Sequence, residues 1–77
     1  MSRVVITIMP RAEVLDPQGQ AVERALRGLG FSSAEGVRVG KRIELEIDAA
    51  DPEAEARRMC DALLANPLIE DFDVELR

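Results

Sequence analysis

An α+β fold, an antiparallel sheet carrying two helices, is predicted for this 77-residue chain by three features. Short runs of apolar or alternating residues lie at both ends and in the middle, as strands require. Two Asp-Pro dipeptides each head an amphipathic stretch of helical period. Glycine or proline stands at the boundaries between these segments.

The first strand is Val4 to Met9, in which Val4, Ile6 and Ile8 alternate with Val5, Thr7 and Met9. Both sets are largely apolar, so the strand is expected to be covered on both faces, either central in a sheet or at an interface. Pro10 ends it. Asp16-Pro17 then supplies an N-cap and a first-turn proline, which predicts a helix. Its apolar face is Val22, Ala25, Leu26 and Leu29, spaced i, i+3, i+4, i+7, and Gly30 is the expected stop.

A hairpin is predicted next, with Val37-Arg38-Val39 as its first arm. Gly40-Lys41 forms the turn, where Gly40 would take the positive φ that a two-residue loop needs. The returning strand places Ile43, Leu45 and Ile47 inward and Arg42, Glu44, Glu46 and Asp48 outward. Asp51-Pro52 repeats the cap, with Glu53 and Glu55 favourable near a helix N-terminus. The expected buried stripe of this second helix is Ala56, Met59, Cys60 and Leu63. Asn66-Pro67 breaks the helix, and Phe72, Val74 and Leu76 alternate with Asp71, Asp73 and Glu75 in a last strand. The order β-α-β-β-α-β is the ferredoxin-like plan, an antiparallel sheet with two helices on one face, and residues 1–77 are expected to form one domain.

Composition narrows function. There is no His, Trp or Tyr, one Cys and two Phe, and the net charge is −5. Histidine acid–base chemistry, the common zinc sites and thiol–imidazole pairs are thereby excluded, and neither a phosphate-backbone binder nor a base-stacking platform is favoured. Cys60 lies on the second apolar stripe and reads as a core thiol. Glu44, Glu46 and Asp48 share one sheet face at period two, the pattern of a solvated or partner-facing surface and not of metal ligands. Gly36, Gly40 and Lys41 open no helix, so they make no phosphate cradle. No catalytic residue, metal ligand or cofactor-binding residue is expected in this chain.

The charge is unevenly spread. Residues 1–42 hold seven basic and four acidic groups, a net +3, while residues 43–77 hold three and eleven, a net −8. Such patches steer association. A core of this size seldom supplies more than about 3–5 kcal/mol, and neither disulfide nor metal is to hand within one copy. A homodimer or higher even oligomer is therefore expected, with the Val5 and Met9 side of the first strand as one face a second copy covers. The lone Cys fits a reducing, cytoplasmic compartment, and the N-terminal apolar run is too short to span a membrane and lacks a cleavage site.

Three blocks carry a family resemblance: Val14-Leu15-Asp16-Pro17-Gln18-Gly19-Gln20-Ala21-Val22, Val37-Arg38-Val39-Gly40-Lys41-Arg42-Ile43-Glu44-Leu45, and Leu63-Leu64-Ala65-Asn66-Pro67-Leu68-Ile69-Glu70-Asp71-Phe72. In that order and spacing they resemble PurS, the small subunit of phosphoribosylformylglycinamidine synthase, over essentially the whole chain. The resemblance implies a non-catalytic subunit of de novo purine biosynthesis. It implies a dimer that bridges a glutaminase and a large ATP-dependent synthetase and supports ammonia transfer between them. ATP and Mg would be used by the large subunit, which replaces the formyl amide oxygen of formylglycinamide ribonucleotide with nitrogen to give the amidine. Within the three blocks, Asp16, Pro17, Gly19, Gly40, Lys41, Arg42, Asn66 and Pro67 are the candidate partner-interface residues. Two other classes fit the topology: an ACT-like module binding a small ligand between subunits, and an acylphosphatase-like hydrolase, for which Arg11 lacks a glycine cradle.

Overall fold

The computed structural model describes residues 1–77. Five elements follow in order: β1 (Ser2–Pro10), α1 (Pro17–Gly28), β2 (Lys41–Ile47), α2 (Pro52–Met59), which runs on into a π turn (Cys60–Leu64), and β3 (Glu70–Leu76). The sheet is antiparallel in the order β2-β1-β3. β1 is central, as its two-sided apolar pattern requires. On the inner face Val4, Ile6 and Ile8 are fully buried and meet Ile47, Ala56, Cys60 and Ala65. Ile43, Leu45, Phe72 and Val74 pack half-buried around that nucleus.

Both helices start where the Asp-Pro pairs place them. Asp16 Oδ1 accepts from Gly19 N at 2.9 Å and Asp51 Oδ1 from Ala54 N at 3.2 Å, with proline in each first turn. α1 ends in a Schellman motif. Gly30, at φ 99°, donates to Arg27 O and Phe31 donates to Leu26 O, which satisfies the last-turn carbonyls.

The α+β class and the antiparallel sheet with helices in the expected order stand, with four differences in detail. First, Val37–Val39 holds the second strand's place in the chain but joins no ladder, so the sheet within one chain has three strands. No hairpin forms at Gly40, whose φ is not positive; the positive-φ glycines are Gly30 and Gly36. The reason is steric. A Cβ on Gly40 would press on Met9 Sδ and Ile8 O, so glycine is needed there for close approach to β1 and not for a turn.

Second, α2 alone covers the inner face within the chain, and α1 stands apart from the sheet. The molecule is accordingly elongated, 50 × 24 × 14 Å with a radius of gyration of 15.6 Å. A compact domain of this length would have about 11.5 Å. Third, Leu63 belongs to no buried stripe and is 83% exposed. The π turn explains it: Ala65 N donates to Cys60 O, an i+5 bond that widens the last turn and brings Leu64 inward in its place. Fourth, the outer face of β1 is not an open apolar surface. Val5 is only 2% exposed, flanked in register by Glu44 and Glu75. Arg3 pairs with Glu44 at 2.9 Å, and Arg42 with Glu44 at 3.1 Å, so this face is an ionic layer.

Candidate partner interface

Residues 36–41 form a strap between α1 and the sheet, and polar contacts pin it at both ends. Asp16, the cap of α1, uses its second oxygen here: Oδ2 accepts from Val39 N at 2.8 Å. The N–H groups of Gly19 and Val39 hold the Asp16 carboxyl below its ordinary value, since both bind the charged form. Two turns further along α1, Glu23 Oε1 accepts from Val37 N at 3.2 Å. Gly19 lies directly under the strap, where a Cβ would run into Val37 O. Arg38 reaches the other way and donates to Pro10 O at the end of β1. α1 and the strap are therefore one unit, joined to the sheet where Gly40 packs on Ile8 and Met9.

The other candidate positions cluster beneath the end of α2. Lys41 Nζ donates to Leu64 O at 3.4 Å, a cation at the carbonyl end of the helix. Asn66 and Pro67 form a locally satisfied turn. Leu68 N donates to Asn66 Oδ1 at 3.1 Å, and Arg11 donates to Pro67 O at 2.7 Å. Thus Asp16 and Gly19 meet the strap, whose end at Gly40 packs on β1, with Pro17 in the first turn of α1; Lys41 meets the end of the π turn, and Asn66 and Pro67 form the turn before β3. Arg42 stands apart from both, on the outer face with Glu44. Arg3 and then Arg42 hold the Glu44 carboxyl below its usual range.

Some surface features were not foreseen from the sequence. Val22 is 41% and Leu29 75% exposed on the apolar face of α1, so most of the stripe meant for burial is bare and only Leu26 is half-buried. Leu68, like Leu63, is 83% exposed beside the π turn. An open cleft of about 340 Å³ lies between α1 and the strap, lined by Val14, Leu15, Gln20 and Val37 among others, with Asp16 at its wall. Both Asp16 oxygens already serve backbone amides, so the cleft offers no free carboxylate from that residue. Burial in the apolar core, and secondarily Asp61, raises the Cys60 thiol, the opposite of an activated nucleophile. These surface positions present exposed apolar side chains and a carboxylate already bonded to backbone amides.

The comparisons with known proteins point the same way. A family model described as PurS, phosphoribosylformylglycinamidine (FGAM) synthase, matches residues 3–77. The chain is 49% identical over 74 residues to the phosphoribosylformylglycinamidine synthase subunit PurS of Mycobacterium leprae, covering 96% of this chain and 94% of that one. It is 38% identical over 78 residues to the Bacillus subtilis PurS subunit, covering 99% and 93%. Among solved structures it is similar to a crystal form of Bacillus subtilis PurS, with TM-score 0.93, 38% identity and coverage of 100% and 99%. It is also similar to a chain of the PurLQS structure from Thermotoga maritima, with TM-score 0.85, 32% identity and coverage of 99% and 96%.

Proposed function

This chain belongs to the PurS family, and from that premise we propose that it is the small, non-catalytic subunit of phosphoribosylformylglycinamidine synthase in de novo purine biosynthesis. It works as a homodimer that bridges the glutaminase and the ATP-dependent synthetase and supports ammonia transfer between their sites. The observation that carries the reading is the match along nearly the whole chain to relatives named as subunits of that synthase. The Thermotoga maritima relative is described within a PurLQS assembly, which supplies the assembly partners. Nothing in the comparisons favours an ACT-like ligand module.

The geometry fits this role. The one thiol is buried with its ionisation suppressed. The subunit holds no cofactor of its own, and ATP and Mg act on the large subunit. Its place is the cytoplasm, a reading supported by the free buried Cys60 and by relatives named as subunits of a biosynthetic synthase. A second copy is supported by the bare apolar face of α1, because a 12-residue helix is marginal in water without a surface to pack on. Asp16, Pro17, Gly19, Gly40, Lys41, Arg42, Asn66 and Pro67 shape the surfaces that meet the partners. Two of these, Asp16 and Gly19, act by fixing the strap.

Size-exclusion chromatography with light scattering tests the assembly. Mixed with the cognate synthetase and glutaminase subunits, glutamine and nucleotide, the chain co-elutes in one complex containing all three. Co-elution of the two large subunits in an unchanged complex when this chain is omitted would refute the bridging role.

A further inference from the structure

We propose that the end of α2 is a docking knob for a larger subunit of the synthase: Leu63 and Leu68 enter an apolar pocket on that subunit, and Asp61 meets a lysine or arginine at the pocket's rim. The inference rests on the subunit reading above and assigns the surface and the chemistry of its receptor.

Two features at this end of the chain work against the isolated molecule. The first is apolar exposure. Ala62, Leu63, Pro67, Leu68 and Ile69 all face solvent, with Leu63 and Leu68 each 83% exposed. A cluster of this kind, unlike a single exposed leucine, marks a contact with another molecule. The second is a misplaced charge. Asp61 lies in the π turn that ends the helix, where the carbonyl end of the dipole disfavours an anion. No cation of the chain answers it. Arg57 pairs with Glu53, Arg58 with Glu55 and Arg11 with Asp71, while Lys41 turns to Leu64 O.

The knob is held in shape without a partner. The bond from Ala65 N to Cys60 O sends Leu63 outward and puts Leu64 against the core in its place. Beyond it the chain is tied at almost every residue. Asn66 N donates to Glu70 Oε1 at 2.7 Å, Leu68 N to Asn66 Oδ1 at 3.1 Å, and Glu70 N to Asn66 O at 2.8 Å. Arg11 adds two bonds, its Nη2 donating to Pro67 O at 2.7 Å and its backbone N to Ile69 O at 2.8 Å. Little backbone freedom is left to lose when the surface is covered, so docking retains most of the gain from burying the leucines.

Charge decides the occupant. The surrounding half of the chain, residues 43–77, holds three basic and eleven acidic groups, a net −8, which repels nucleic acid and anionic lipid alike. A second copy docked here across a two-fold axis would set Asp61 near Asp61, pairing like charges. A pocket with a cationic rim covers the leucines and neutralises Asp61 in one contact.

Binding of the full chain to the cognate synthetase and glutaminase, with glutamine and nucleotide present, tests this by fluorescence anisotropy of a label on the N-terminal amine. Leu63→Ser combined with Leu68→Ser is expected to weaken binding by about tenfold or more, with the melting midpoint and oligomeric state of the chain alone unchanged. Asp61→Lys is expected to weaken binding too, yet not to lower the melting midpoint, because a cation suits the helix end. Full binding by the leucine variant overturns the knob, and full binding by Asp61→Lys overturns the cationic rim. A changed oligomeric state in the leucine variant overturns the proposal in favour of a contact between copies. If the unmodified chain binds neither subunit, the subunit reading itself fails and the docking site falls with it. On the unmodified chain, hydrogen exchange over residues 61–69 should slow several-fold when the larger subunits are added; equal exchange with and without them contradicts the proposal without any substitution.

Discussion

Replacing Gly40 with alanine separates close approach from turn formation as the reason for a glycine. The backbone there has no positive φ, so alanine meets no conformational penalty of that kind. Its Cβ, however, falls well inside contact distance of Ile8 O and Met9 Sδ. Met9 is flexible and can move aside, but Ile8 O belongs to the central strand and cannot. Ile8 is also the register partner of Lys41, so the strain acts on the first rung of the β1–β2 ladder. Overpacking of this sort costs about 1–3 kcal/mol. Against it, loss of glycine's freedom in the unfolded chain returns about 0.4–1 kcal/mol. The net is a loss of about 1–2 kcal/mol, or about 5–30-fold in the folded-to-unfolded ratio. With a urea slope near 1 kcal/mol/M for so small a chain, the midpoint falls by about 1–2 M. Gly28→Ala is the control, since a Cβ there meets nothing within 4 Å and the site is helical. It is expected to raise stability by up to about 1 kcal/mol. Urea melts followed by circular dichroism at one protein concentration read both. If Gly40→Ala melts at or above the parent midpoint, the close-approach argument is wrong.

Gly19→Ala should release the strap even though alanine is the better helix former. Its Cβ meets Val37 O and approaches Asp16 Oδ2 at 2.8 Å, so hydrogen exchange at the Val37 and Val39 amides should accelerate by tenfold or more. Retained protection would show that the strap tolerates the extra atom. Stability should fall as pH drops through the carboxylate range. The folded-state values of Asp16 and Glu44 are lowered, so their contribution is complete above the unfolded value of about 4 and is lost as pH falls through the folded values. Urea midpoints between pH 6 and pH 3 should show this acid limb, and Asp16→Asn should flatten it. At the alkaline end Cys60 has a raised folded value, so its contribution is complete below the unfolded thiol range and fades as pH climbs through the folded one. Cys60→Ser leaves a hydroxyl among apolar neighbours and is expected to cost about 1–3 kcal/mol, read as a lowered melting midpoint.

Local signals carried most of the fold into the sequence. The Asp-Pro caps, the Schellman glycine and the two alternating strands at Ile43–Ile47 and Phe72–Leu76 depend on residues a few positions apart, and each lies where its pattern puts it. What was not legible depends on partners distant in the chain. Gly40 looks like a hairpin glycine from its neighbours, yet Ile8 and Met9, some thirty residues earlier, decide its role. Asp16 reads as a cap, but its second oxygen holding Val39 leaves no trace in the local pattern. Leu63 follows the helical stripe until the π turn inserts one residue, and the Leu63-Leu64 pair leaves either residue able to fill the inward position. The apolar spacing of Val22, Ala25, Leu26 and Leu29 predicts a buried face on α1, yet within the chain most of it is exposed, because no sheet residue packs against it. Among the candidate interface residues, Asp16, Gly19 and Gly40 come together at the strap, and Arg42 joins the ionic outer face instead.

The central claim is that this chain performs no chemistry and makes glutamine-dependent synthesis possible by joining the subunits that do. Turnover with and without it tests that claim most directly. With cognate synthetase and glutaminase present, leaving this chain out should abolish amidine formation from glutamine while ammonia-dependent formation by the synthetase continues. Glutamine-dependent turnover that proceeds at the same rate without this chain would contradict the account.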